Sequence, residues 1–196
     1  MNYMRKVLIY CIIVFLILSV IPLCSMLSFK FSPTQPANTD KNVTAADKKD
    51  IDKLIKTAAA LCNEDFCDEG LKCALVIVKN NMSISDTKPD AEQKKISKYF
   101  YERLFKLYEE TTATLNYKGK TVFIPTASLS TGFTQEHPDY PYIKSVASPW
   151  DCTHKDFVYG KEYARGISMA GLNYLCENGM SYTEALKWYL PEFTIK

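Results

Sequence analysis

Chemistry-bearing side chains gather at a few places along the 196 residues, and each kind permits a different reaction. Asn63-Glu64-Asp65 places carboxylates at a break between two apolar-periodic runs, where an acid or base can sit. Ser128, Ser130, Thr131 and Thr134 line up hydroxyls that donate and accept hydrogen bonds, although alone they are an ordinary polar loop. Cys62-x4-Cys67-x5-Cys73, Cys152 and Cys176 supply five thiols beyond the apolar N-terminus. Their odd number leaves at least one unpaired within a single chain. Free thiols, one disulfide among Cys62, Cys67 and Cys73, and zinc with His137 or Cys152-x-His154 are the alternatives; no spacing is a recognised ligand pattern. No metal or cofactor is therefore expected. The chain has no GKS/T loop, no GxGxxG, no HExxH and no paired CxxC. Asn42-Val-Thr44 and Asn81-Met-Ser83 match the glycosylation sequon and are taken as chance.

Charge narrows the classes further. Arg5, Lys6 and Lys30 are the only charges in the first thirty residues. Setting them aside leaves 21 of the 24 basic residues against all 22 acidic ones, a net −1. A near-neutral body offers no basic face for nucleic acid. Val7 to Phe29 is a run of 23 uncharged residues. As a helix at about 1.5 Å per residue it would span roughly 35 Å, enough for a hydrocarbon core of about 30 Å. Arg5 and Lys6 before it keep the N-terminus inside and send the body out. Residues 1–30 are thus expected to be a single-pass signal-anchor in the cell membrane, with the C-terminal domain extracytoplasmic. A cleaved signal peptide is the rival, but the run exceeds the usual 7–15 apolar residues and no clean A-x-A site follows. Residues 31–47, with two prolines and small polar residues, have the composition of a linker.

The elements that must position the chemistry lie in 48–196. Ile51, Leu54, Ile55, Ala58 and Leu61 have helical spacing. Asp68 is expected to cap a second helix over 69–80, with Leu71, Leu75 and Val78 as its buried stripe. The polar stretch SISDTKPDAEQ is expected to be a loop, and a third helix should run over 91–109 with Ile96, Phe100, Leu104 and Leu107 on one face. Residues 113–117 and 120–124 suggest two β-runs around Lys118-Gly119. A Ser/Thr-rich, aromatic stretch follows to Asp151, where Trp150 is expected to be a largely buried clamp holding the cleft loop to the body. Ser181-x-x-Glu184 forms a capping box for a last helix over 182–189. The fold class is α+β: a transmembrane helix, then one helix-rich domain with a β-hairpin or small sheet and a Ser/Thr-rich cleft loop.

Four segments in order resemble the stage II sporulation protein D family. Asp68-Glu-Gly-Leu-Lys72-Cys-Ala-Leu is similar to its EALKAQA helix. Tyr117-Lys-Gly-Lys120, then Ala127-Ser-Leu-Ser-Thr-Gly-Phe-Thr134, resemble its YxGK hairpin and STSGGxTE loop. The stretch from Tyr140 to Asp151, YPYIKSVASPWD, is similar to its PYL-x-SV-x-SPWD segment. Arg165-Gly-Ile-Ser-Met-Ala-Gly171 and the C-terminal helix resemble HGVGMSQ and YxxILxxYYPG. The resemblance covers roughly Asp50 to the end. It implies a sporulation-related, membrane-anchored enzyme that cleaves peptidoglycan glycan strands without water, using one carboxyl group as acid and then base. Lys72, Ser128, Ser130, Thr134 and Arg165 would hold the strand.

The same alignment implies impaired catalysis. Counting eight residues back from Glu69, where the family carries its acid, reaches Leu61. Arg165 stands for the motif's histidine, Ser168 for its second glycine, Gly171 for its glutamine, and Gln135 for the glutamate after the loop threonine. Glu64 would reach the acid's place only through a three-residue loop deletion. Three functions remain open: a divergent binder of glycan strands, a non-catalytic scaffold that recruits a wall hydrolase or another membrane-bound engulfment protein, and an active lytic transglycosylase using Glu64.

Overall fold

The computed structural model describes residues 45–84 and 96–196. The expected anchor, the linker up to residue 44, most of the loop and the first residues of the expected third helix lie outside the described residues. Among the described residues no helix is long and apolar enough to cross a membrane.

Helix α1 (Ala45–Leu61) buries Leu54, Ile55 and Ala58, as their spacing requires, with Ile51 and Leu61 half-buried beside them. It begins inside the expected linker. Helix α2 (Asp68–Met82) is the centre of the fold. From Leu71 to Val78 every residue except Lys72 is buried, so it is apolar nearly all round and not along the one expected stripe. It packs against α1, α3 (Lys98–Glu110), α4 (Met169–Glu177) and α5 (Tyr182–Tyr189). Its N-cap is Cys67 rather than Asp68: the Cys67 sulfur accepts the Gly70 N–H. Asp68 pairs instead with Arg103 of α3, at 2.7 Å.

Helix α3 starts at Lys98, later than the periodicity predicts, because the Ser97 hydroxyl caps it by accepting the Phe100 N–H. Ile96 lies before the helix. Phe100, Leu104 and Leu107 form the buried face as expected.

The expected hairpin is largely replaced. Lys118 and Gly119 (φ 50° and 79°) make the tight turn, yet only Tyr117 and Lys120 bridge across it. Strand β1 (Leu115–Tyr117) pairs antiparallel with β4 (Phe193–Ile195) at the C-terminus. Residues 121–124 join no strand, because two asparagines at the end of α2 take their peptide groups. Asn80 Nδ2 donates to the Val122 carbonyl, and Asn81 both donates to and accepts from the Ile124 backbone, all at 2.8 Å. Strands β2 (Thr126–Ala127) and β3 (Ile167–Ser168) form a second, parallel pair. The result is a helix-rich α+β domain with two small sheets.

Helix α4 lies outside the expected elements, although Met169, Leu172, Leu175 and Cys176 carry helical spacing. Ser168 caps it through the Gly171 N–H. Helix α5 has the expected capping box: Glu184 N–H to the Ser181 hydroxyl, and Ser181 N–H to the Glu184 carboxylate.

Candidate functional site

The segments far apart in sequence meet at β2, β3 and α4. The Ser128 carbonyl accepts the Ala170 N–H at 3.1 Å, docking the Ser/Thr-rich loop on the first turn of α4. Asp151 Oδ2 accepts both the Ser130 N–H (2.8 Å) and the Ser130 hydroxyl (2.6 Å), joining that loop to the short 3-10 helix Pro149–Thr153. Thr134 Oγ1 donates to the Lys144 carbonyl and accepts the Val146 N–H. The Tyr189 hydroxyl, from α5, is shared with Ser148 at 2.6 Å and accepts the Trp150 indole N–H at 3.2 Å. Burial pushes the Tyr189 phenol far up, so it stays protonated.

Two adjoining cavities open on this junction. The smaller, about 200 Å³, is walled by Leu61, Cys62, Phe66 and Met169 on its apolar side. Ser128, His154, Asp156, Lys161 and Tyr163 form its polar side. The larger, about 400 Å³, is lined by Asp65, Trp150, Asp151, His154, Lys155, Asn173, Tyr174 and Glu177. Phe66, His154 and Ala170 belong to both walls, so His154 stands where they meet. Its Nδ1 accepts the Asp156 N–H at 3.2 Å. Trp150 is partly buried. Its ring stacks on Tyr174, with centroids 5.3 Å apart and planes 7° from parallel, so it clamps the 3-10 helix to α4 while lining the larger cavity.

Of the candidate site residues, only Ser128 reaches these cavities, and it does so beside Leu61. Glu64 is exposed and lines neither. Arg103 explains why: its guanidinium reaches the Glu64 carbonyl (3.0 Å), the Phe66 carbonyl (2.7 Å) and Asp68, clamping the loop through its backbone. Ser130 and Thr134 are buried, with their hydroxyls taken up in stitching the loop to residues 144–151. Lys72 pairs with Glu69 (2.8 Å) and Glu110 (3.6 Å) and lies over the Tyr182 ring, outside both cavities. Arg165 is exposed and donates to the Glu136 carbonyl at 3.0 Å.

Gly171 shows how the site is filled. A Cβ there would collide with the Tyr189 hydroxyl and lie 2.7 Å from Ser148 Oγ and 2.9 Å from the Trp150 indole nitrogen. The Ser148–Trp150–Tyr189 cluster thus occupies the space that a longer residue would need.

The chemistry available is polar contact against an apolar wall. A general acid needs a carboxyl whose proton is retained, usually through burial. Among the lining carboxylates, Asp65, Asp156 and Glu177 are exposed, and Lys155 at 2.6 Å holds the Asp65 carboxyl below its ordinary value, the opposite of what an acid requires. Asp151 is buried; its Oδ2 is held by Ser130, and its Oδ1 has no partner among the described residues. Sequence reasoning offered His154 only as a zinc ligand beside Cys152, and missed Asn173, Tyr174 and Glu177 because they sit on α4, a helix outside the expected elements. Among the described residues no three His, Cys, Asp or Glu side chains stand together as a metal cage. Compared with protein-family models and with curated proteins, the chain matches none.

Proposed function

We propose that the protein is a divergent relative of the stage II sporulation protein D family that binds peptidoglycan glycan strands without cleaving them. The apolar run 7–29 would anchor it in the cell membrane, with the folded domain facing the wall. The observation that carries this reading is the placement of Leu61 beside Ser128 in the wall of the smaller cavity, with Glu64 outside it. At the place where the family resemblance puts its acid there is no proton to give. Hydroxyls, an imidazole and an aromatic ring facing an apolar wall suit a saccharide, which also has polar edges and apolar faces. The meeting of all four resembling segments around β2, β3, α4 and α5 supports the same reading.

The test uses the full chain in detergent with peptide-stripped glycan strands. The protein should be retained on the strands and release no anhydro-muramyl ends, and Ser128→Ala with Tyr163→Phe should weaken retention. Release of such ends that Glu64→Gln abolishes would make Glu64 the acid and overturn the reading. No retention at all would favour the scaffold that recruits another wall or membrane protein.

A further inference from the structure

We propose that Cys73 and Cys176 form a disulfide that ties α2 to α4 behind the cavities. The two sulfurs lie 4.0 Å apart and both side chains are buried. A disulfide needs sulfurs about 2.05 Å apart and Cα atoms within about 4.4–6.8 Å. The two helices pack closely about one turn nearer their N-termini. Cys67 N–H donates to Asn173 Oδ1 at 2.9 Å, and a Cβ on Gly70 would lie 3.2 Å from the Asn173 Cα. The two sulfurs therefore have about 2 Å left to close. The pairing differs from any within Cys62, Cys67 and Cys73. The Cys67 sulfur is engaged as the cap of α2, and Cys152 is exposed.

The link closes a loop over 103 residues of separation and fixes α4, which carries Met169, Asn173, Tyr174 and Glu177 into the cavity walls. The oxidant is a small-molecule or protein disulfide. One cysteine thiolate attacks it and releases the first thiol of the oxidant; the second cysteine thiolate then displaces the other thiol. Two cysteine thiols are oxidised, one oxidant disulfide is reduced to two thiols, and two protons pass from the cysteines to the leaving thiolates. Burial pushes the Cys73 thiol well up, so the attacking thiolate is scarce once α4 has docked, and the link forms while the chain folds.

The inference rests on the extracytoplasmic location proposed above, because a reducing cytoplasm would keep both thiols free. Two arms separate the failures. In the first, the purified full chain is refolded in detergent with oxidised and reduced glutathione, its free thiols are blocked under denaturing conditions, and its peptides are mapped by mass. A Cys73–Cys176 peptide pair, lighter by two hydrogens than the two thiols, is expected in the chain and in Cys62→Ser and Cys67→Ser. Reduction should lower the melting temperature of the parent, but not of Cys73→Ala or Cys176→Ala. Free thiols at both positions, or Cys73 paired elsewhere, would overturn the inference. In the second arm, a membrane-impermeant maleimide is added to intact protoplasts, where the exposed Cys152 reports the location. Linked Cys73–Cys176 in the refolded chain with Cys152 unlabelled on cells would sustain the geometry and overturn the location.

Discussion

Around α2 the interior is closed by apolar side chains: Leu71, Leu75, Ile77 and Leu104 are almost entirely removed from water and bring few polar atoms with them. Between residues 118 and 166 the interior is closed by polar pairs instead. Asn81 holds the Ile124 backbone, Tyr142 donates to the Phe123 carbonyl at 2.7 Å, Ser130 binds Asp151, and Ser148 binds Tyr189. The first region depends on volume and tolerates changes of shape that keep it. The second depends on partners, and a change that keeps volume but loses a partner should damage it. The cavities lie where the two regions meet, with Leu61, Phe66 and Met169 from the first and Ser128 and His154 from the second.

The largest effect should come from the helical region. Leu75→Ala should cost about 3–5 kcal/mol through lost burial and the cavity left behind, whereas Leu75→Met should cost less than about 1.5 kcal/mol. Urea unfolding of both variants checks this, and equal losses would break the assignment of α2 to a volume-dependent core. Asp151→Asn is the counterpart in the second region. Its size is nearly unchanged and its amide oxygen can accept both Ser130 bonds, but it accepts them without the carboxylate's charge and puts an NH2 donor group where, among the described residues, Asp151 Oδ1 has no partner. A loss of about 2–3 kcal/mol is expected. A loss as small as that of Leu75→Met would show that polar pairs do not hold this region.

Gly171 lies on the seam. Gly171→Ala should cost about 1–3 kcal/mol by forcing the Tyr189 hydroxyl aside. Tyr189→Phe removes the oxygen that the new methyl would strike, so the double variant should lose less than the sum of the two single ones. Strict additivity, measured by the same unfolding curves, would mean that the methyl meets something else.

This contrast also explains which parts of the fold were legible in the sequence. Helices α1, α3 and α5 follow from local facts, the periodic apolar residues and the Ser181–Glu184 box, although the Ser97 cap that starts α3 was not singled out. The partner of Leu115–Tyr117 does not, because it is decided by Asn80 and Asn81 claiming 122–124 and by the chain end arriving alongside. The same holds at the cavities. Position 61 and Ser128 could be named from the resemblance, but the roles of Ser130 and Thr134 depended on partners 10 to 21 residues away. His154 and Tyr174 reach the cavity walls only because the 3-10 helix docks on α4.

The smallest expected effect tests a polar contact placed on the apolar centre itself. Glu69, in the first turn of α2, accepts the Lys72 ammonium at 2.8 Å and the Tyr182 N–H at 2.8 Å, joining α2 to α5. Partial burial favours its proton, but Lys72 and the Tyr182 N–H outweigh this and leave the carboxyl below its ordinary value of 4.5. The bond to Glu69, in turn, raises Lys72 above 10.5. A carboxyl with a lowered folded value stabilises the fold above its unfolded value, and loses that contribution as pH falls through the folded one. A lysine with a raised value contributes below 10.5 and loses its share as pH climbs through the folded value. The pair should therefore give a plateau between about pH 4.5 and 10.5 that declines on both sides. Because Glu69 is 35% exposed, solvent screening keeps the benefit under about 1 kcal/mol. Glu69→Gln should be less stable than the parent by that amount at pH 7 and equal to it near pH 2, as measured by urea midpoints. A difference that persists undiminished in acid would assign Glu69 to packing, and would make the first turn of α2 resemble the volume-dependent region that surrounds it.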